Sequence, residues 1–530
     1  MLKVDRRSFL WGSALTGGSS VFVPRLWGAG DGPVAETAAG KVLGVTVGKV
    51  HTFKGVPYGA STAISGRFLP PGKLQPWGGV RDARELGNRA PQIRATPLVP
   101  EYGAMERTGP MSEDCLNLNI WTQGLRDGRK RPVMVWLHGG GYANGSNGVT
   151  VNDGNNLAAK YDVVTVNVNH RLNIFGFLCL ADVGGAAFAN ASNAGMLDIV
   201  QALEWVRDNI ANFGGDPANV TIFGQSGGGG KVSTLLGMPA AKGLFHKAIA
   251  MSGSAASGIT RAAATKQAEL VMSKLGVKSA ADLQKVSIDQ LLALTVGPGN
   301  VGGFGPVTDG HSLPAVPFDP VATELSANIP LMIGSTETEI TWLPTTSFDP
   351  LDDAALRQKV QQAASCNGAE ADRLIAVYRK RRPKTSNLDL YLVLGSDFSN
   401  FRTGTDTQAE RKAAQGKAPV YKYYFQWYSP VRGGALRSMH TMELPFVFRN
   451  LEIARTEVGD ETPAMRALSD RMSDAWVGFA RSGNPNHKGL PQWQPFDTKQ
   501  RATMVFDADV KAVNDPYAEE RMARESVQRA

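Results

Sequence analysis

The segment VTIFGQSGGGGKVS, Val220 to Ser233, restricts the fold more than any other part of the chain. An apolar run rich in β-branched residues enters a glycine-rich turn, and a helical pattern leaves it. Two chemistries use that outline. A phosphate-cradling loop requires G-x-x-x-x-G-K-[ST], in which free backbone N–H groups and a lysine hold an anion. A nucleophile elbow requires G-x-S-x-G, in which a strained strand-to-helix turn lifts a serine hydroxyl clear of the chain. The phosphate loop fails on spacing. Counted back from Gly230-Lys231, its first glycine falls on Gln225, and its metal-binding hydroxyl falls on Val232. Gly224-Gln225-Ser226-Gly227-Gly228 satisfies the elbow.

The surroundings of this turn predict a mainly parallel sheet flanked by helices. RPVMVWLHGGG and YDVVTVNVNHRL are continuous apolar runs bounded by turn residues, the pattern of strands buried on both faces. AGMLDIVQALEWVRDNIANFGG repeats apolar residues at helical spacing and ends at Gly214-Gly215. FHKAIAMSGS and IPLMIGS read as two further buried strands, and residues 41–58 and 117–122 as shorter ones. Strand and helix alternate, as an α/β fold requires. Segments 260–294, 350–382 and 464–481 are helical in pattern and read as insertions that cap the active site. No low-complexity linker or fixed-period repeat divides the chain, so residues 30–530 read as a single α/β domain.

A serine hydroxyl is a poor nucleophile unless an imidazole takes its proton and a carboxylate orients that imidazole. The tetrahedral oxyanion then needs preorganised N–H donors, each worth about 3–4 kcal/mol of barrier. WLHGGGYANG supplies a second glycine-rich loop directly after a buried strand, at His138-Gly139-Gly140-Gly141. In this architecture the chain order is serine, acid, histidine. Only His440 and His487 lie late enough; His487 sits in the polar turn GNPNHKG, so His440 is the better base. The acid is sought in TETEI after IPLMIGS, which offers Glu337 and Glu339 at a strand's carboxyl end.

Composition narrows the remaining classes. The 530 residues are 42% hydrophobic and 20% charged, an ordinary globular balance. The formal charge of +8 is spread without any run of five like charges, which speaks against a nucleic-acid site. Three distant cysteines, Cys115, Cys179 and Cys366, form no Cys-x-x-Cys pair, which argues against a zinc ribbon or dithiol site. At the N-terminus, Arg6-Arg7 precede Ser8-Phe9-Leu10 and a mostly apolar stretch to Val23. This resembles a twin-arginine export signal over residues 1–29, which implies a periplasmic or secreted protein. Glycines and serines dilute the stretch below what a membrane anchor needs, so no stable membrane insertion of the mature chain is expected.

With these parts in place, the sequence resembles the type B carboxylesterase family, which includes cholinesterases and bacterial p-nitrobenzyl esterases. GVPYGA, RFLPP, SEDCLNLNIW, HGGGY, NHRLNIFGFL, FGGDPANVTIFGQSGG, HTMELPFVF and MVFDADVKAVNDP occur in family order between about residues 40 and 520. The resemblance implies an α/β-hydrolase fold with Ser226 as nucleophile, His440 as base and Glu339 as acid. It further implies an oxyanion hole of the N–H groups of Gly140, Gly141 and Gly227, with no metal or cofactor. Arg67 with Glu113 and Arg171 with Asp198 are implied as structural ion pairs, and Ser252 as a partner of the acid.

Three departures from the family pattern stand out. The acid motif, usually like T-x-D-E-G, is Thr336-Glu337-Thr338-Glu339-Ile340, where register favours Glu339 over Glu337. Gln225 and Gly227 flank the serine where the family usually has Glu and Ala. Cys115 lacks its usual cysteine partner, whose place is taken by Ala90, and is expected to be a buried free thiol. The expected activity is hydrolysis of small carboxylic esters through an acyl-enzyme. Amide or carbamate cleavage by the same triad, a lipase with an interfacial lid, and a non-catalytic binding module are the competing readings.

Overall fold

The computed structural model describes residues 32–93, 109–342 and 347–528. Its centre is an eleven-stranded sheet, numbered here along the chain. The strands are β1 (Val45–Val47), β2 (Val50–Pro57), β3 (Asn117–Thr122), β4 (Arg131–Leu137), β5 (Val164–Val168) and β6 (Gly215–Gln225). Then follow β7 (Lys247–Met251), β8 (Leu331–Thr336), β9 (Val420–Phe425), β10 (Ala502–Phe506) and β11 (Lys511–Asn514). Across the sheet the order is β11-β10-β9-β8-β7-β6-β4-β5-β3-β2-β1. Every pairing from β5 through β10 is parallel, and the antiparallel pairings lie toward the two edges.

The period of two along each strand sends side chains into two separate cores. Val133, Val135, Leu137, Val166, Ile222 and Ile333 pack on one face with helix α1 (Ala194–Asn209). Met134, Trp136, Phe223, Ile249 and Met332 pack on the other. Each fully buried aliphatic or aromatic side chain contributes roughly 1.5–3 kcal/mol, so both faces are committed and register is strongly specified. A short 3₁₀ turn extends α1, and Gly214 closes it at φ 72°, the left-handed cap.

One expectation needs correction. Helix Pro463–Ser482 is not a cap insertion. Its apolar stripe, with Met465, Leu468, Met472 and Trp476, belongs to the second core beside Trp136, Phe223 and Tyr423. It covers the sheet, because a stripe of that length matches a sheet face. The helices at Arg261–Leu275, Asp353–Ala364 and Gly368–Arg381 do build separate clusters away from the sheet. Among the described residues, no helix is long and apolar enough to cross a membrane. No group of three or more His, Cys, Asp or Glu side chains there is arranged to hold a metal.

Candidate active site

Strand β6 ends at Gln225 and helix α2 (Gly227–Leu235) begins one residue after Ser226. Ser226 joins them with φ 58° and ψ −125°, a conformation that costs a non-glycine residue of order 1–3 kcal/mol. Its N–H donates to Met251 O at 2.8 Å, and its own carbonyl accepts from Gly230 N–H at 3.0 Å. The turn is held open to one side by close backbone packing. A Cβ at Gly228 would stand 2.0 Å from Leu137 O at the end of β4.

The second glycine loop leaves β4 and lies against this turn. Gly140 and Gly141 take φ values of 89° and 63°, which side-chain-bearing residues rarely adopt. A Cβ at Gly227 would meet Gly141 O at 2.2 Å and Gly141 N at 2.5 Å. The glycine that departs from the family's alanine therefore leaves room for the loop to approach. Among the described residues, the N–H groups of Gly140, Gly141 and Gly227 have no hydrogen-bond acceptor.

The acid and base loops meet through one bridge. Thr338 pairs with Met439 in parallel, Thr338 N–H donating to Ser438 O at 3.1 Å. Glu339 and His440 are the next residues on each side. His440 Nδ1 lies 2.5 Å from Glu339 Oε2, and both side chains are buried. Glu339 Oε1 accepts from Ser252 Oγ at 2.6 Å and from Thr336 N–H at 2.8 Å. Burial acts to raise the Glu339 pKa. The neighbouring His440 and these hydrogen bonds outweigh it and hold the carboxylate below its ordinary value. Donation from Nδ1 leaves Nε2 of His440 as the acceptor. The side-chain amide of Gln225 lies against the same ring, its Nε2 3.2 Å from His440 Nε2. The Phe401 ring covers the imidazole at a centroid distance of 4.3 Å.

Glu337 is placed elsewhere. Its carboxylate accepts from Gln426 Nε2 at 2.8 Å and sits 3.6 Å from Arg382, and burial raises its pKa despite that cation. His487 lies against the middle of helix Pro463–Ser482, its Nε2 3.0 Å from Arg471 O. Tyr142 packs on Phe177 at 5.2 Å between ring centroids. Arg67 and Glu113 form a buried bidentate pair, as do Arg171 and Asp198. Cys115 is buried and unpaired, with Ala90 in the same core.

Two further side chains flank the site, one of them, Glu443, inside the family-like stretch HTMELPFVF. Arg402 donates to Thr336 O at 2.7 Å and places a guanidinium beside the acid loop. Glu443, fully buried, has its pKa pushed up to about 8, first by burial and then by Glu339, so it stays protonated at neutral pH. Glu339 is left as the charged carboxylate next to His440.

The sheet order, the strained serine after β6 and the glycine loop after β4 together define an α/β-hydrolase. The Carboxylesterase family profile matches residues 31–524. The chain is 34% identical over 505 residues to a para-nitrobenzyl esterase of Bacillus subtilis, covering 92% of this chain and 97% of the relative. A carboxylesterase structure from Geobacillus stearothermophilus superposes with a TM-score of 0.78 at 36% identity, covering 92% of this chain and 99% of that one. An esterase from Clostridium hathewayi, described as able to hydrolyse aliphatic aromatic polyesters, gives 0.79 at 34% identity, covering 94% and 98%. The chain belongs to the carboxylesterase family and is a carboxylic ester hydrolase.

Proposed function

We propose that Ser226 is the nucleophile, His440 the general base and Glu339 the acid of a serine carboxylesterase acting on small uncharged esters. The observation that carries this reading is the Glu339 carboxylate. One oxygen binds Nδ1 of His440 while the other is fixed by Ser252 and the Thr336 N–H. That leaves Nε2 to take the Ser226 proton as Oγ attacks the ester carbonyl. The oxyanion is received by the N–H groups of Gly140, Gly141 and Gly227. Collapse expels the alcohol, protonated by the imidazolium, and leaves an acyl-serine that water hydrolyses by the same steps in reverse roles.

The neutral Gln225 amide against His440 supports a preference for uncharged over cationic alcohols, since no carboxylate stands there to attract a cation. The decisive test compares the chain with Ser226→Ala on p-nitrophenyl acetate, butyrate, octanoate and palmitate. A loss of about 10⁴-fold or more is expected in the variant. Equal activity of the two would overturn the assignment, and an optimum at palmitate would move the reading toward a lipase.

Residues 1–29, read as a twin-arginine signal, lie outside the described residues, and we infer export of the domain spanning 30–530. The Arg6-Arg7 pair and the apolar stretch after it support this. Replacing both arginines by lysine is expected to retain the esterase in the cytoplasmic fraction; unchanged fractionation would overturn it.

A further inference from the structure

Helix α2 carries one charged residue, Lys231, and buries it completely. Its Nζ donates to His138 O at 2.8 Å and to Gly141 O at 2.9 Å, and lies 5.4 Å from the centroid of the Tyr142 ring. Among the described residues it forms no ion pair with a carboxylate. Burying an ammonium without a counter-ion is costly, so its retention at this place calls for a reason.

The two carbonyls it holds are the first and the last of the loop His138-Gly139-Gly140-Gly141. The two between are engaged from within the loop. Gly139 O accepts from His138 Nδ1 at 2.9 Å, and Gly140 O accepts from the N–H groups of Ala143 at 3.3 Å and Asn144 at 3.1 Å. All four carbonyls are thus tied down, and the N–H groups of Gly140 and Gly141 are left without acceptors beside the Ser226 turn.

We propose that Lys231 is a positioning residue of the oxyanion hole, clamping both ends of the glycine loop and setting a fixed positive charge against the carbonyls that flank the two receiving peptides. This rests on the assignment of Ser226 and of the hole made above. In a water-poor site such a charge acts on the developing oxyanion far more strongly than it would in solvent, and it needs no reorganisation during the reaction. It has no matching demand in the ground state, where the ester carbonyl is neutral, so it acts on kcat more than on KM.

The ammonium is also titratable. Burial draws the Lys231 pKa down to about 7. The groups facing it are the stacked rings of His138 and His170, 5.0 Å apart, and Tyr142. Burial, and next the Lys231 charge, hold His170 well below its ordinary pKa, and burial pushes Tyr142 up to about 12. With His170 and Tyr142 so displaced, the charge on Lys231 changes near neutrality. It is present below that pH and lost above it.

The test measures kcat and KM for p-nitrophenyl butyrate from pH 6 to 10, with the spontaneous rate subtracted, for the parent and for Lys231→Met. The inhibition constant of a trifluoromethyl ketone, which forms a tetrahedral adduct on the serine, is measured alongside. In the parent, kcat is expected to fall on the alkaline side with a midpoint at or somewhat above 7. In Lys231→Met, kcat is expected to drop roughly 10–10²-fold with KM within about threefold, the ketone to weaken by a similar factor, and the alkaline limb to vanish. A parent profile flat from pH 7 to 9.5, or a kcat within twofold in Lys231→Met, overturns the proposal. If Lys231→Met does not fold, the parent profiles of kcat and ketone affinity decide alone. Activity surviving in Ser226→Ala would overturn the underlying assignment; an inactive Ser226→Ala beside a normal Lys231→Met overturns only the role of Lys231.

Discussion

The two halves of the site are held by different means. Around Ser226 the backbone does the packing: Gly228 lies under Leu137 O and Gly227 against Gly141, with no side chain between them. Around His440 the side chains do it. Glu339 is gripped by Ser252 and His440, Arg402 reaches the Thr336 carbonyl, and Glu443 stays protonated beside them. The first half presents N–H groups, which must be bare and close; the second presents an imidazole, which must be aimed and electrostatically balanced. A backbone site tolerates no added atom, whereas a side-chain site tolerates substitution in proportion to the hydrogen bond it removes.

Four substitutions sharpen or break that contrast. Glu339→Gln should lower kcat by about 10³–10⁴-fold, since an amide favours the wrong imidazole tautomer. Glu337→Gln should change kcat only a few-fold, and the reverse ranking would move the acid to Glu337. Gly227→Ala adds one methyl carbon where Gly141 now stands, and should cost about 10²-fold in kcat by displacing the loop. A normal kcat there would show that the backbone half can yield after all. Ser252→Ala removes one hydrogen bond to a carboxylate that keeps two others, and should cost about tenfold in kcat, in line with roughly 1.5 kcal/mol.

The smallest effect concerns stability. Glu443 has a folded pKa of about 8, above its unfolded value, so the folded state holds the extra proton between about pH 4.5 and 8. Stability therefore declines as pH rises through that window. Glu443→Gln should remove this slope and melt higher than the parent at pH 8, with the advantage shrinking toward pH 4.5. Parallel melting curves for both proteins across that range would contradict the buried, protonated carboxyl.

The same contrast explains what could be seen in the sequence. Close backbone approach demands glycine, and glycine next to a buried strand is a local signal, so the elbow at 224–228 and the loop at 138–141 were legible. Chain order leaves His440 and His487, and the polar turn GNPNHKG around His487 favours His440. Glu339 and Glu337 sit two residues apart in the same strand-end motif, and what separates them is a bridge between Thr338 and Met439, a hundred residues away. Arg402 lies in an unremarkable helical pattern, and its reach to Thr336 depends on tertiary placement alone. The apolar stripe of helix Pro463–Ser482 shows that something is covered without showing what, so a cap and a sheet cover look alike in the sequence.

Cys115 carries a practical consequence. It is buried in the first core as a thiol, and Cys179 and Cys366 are unpaired as well. The native state contains no bond that an oxidant must form. Reducing conditions take no bond from such a chain, and its folding involves no disulfide shuffling among wrong partners. No disulfide remains to be made once its backbone has folded, on whichever side of a membrane that happens.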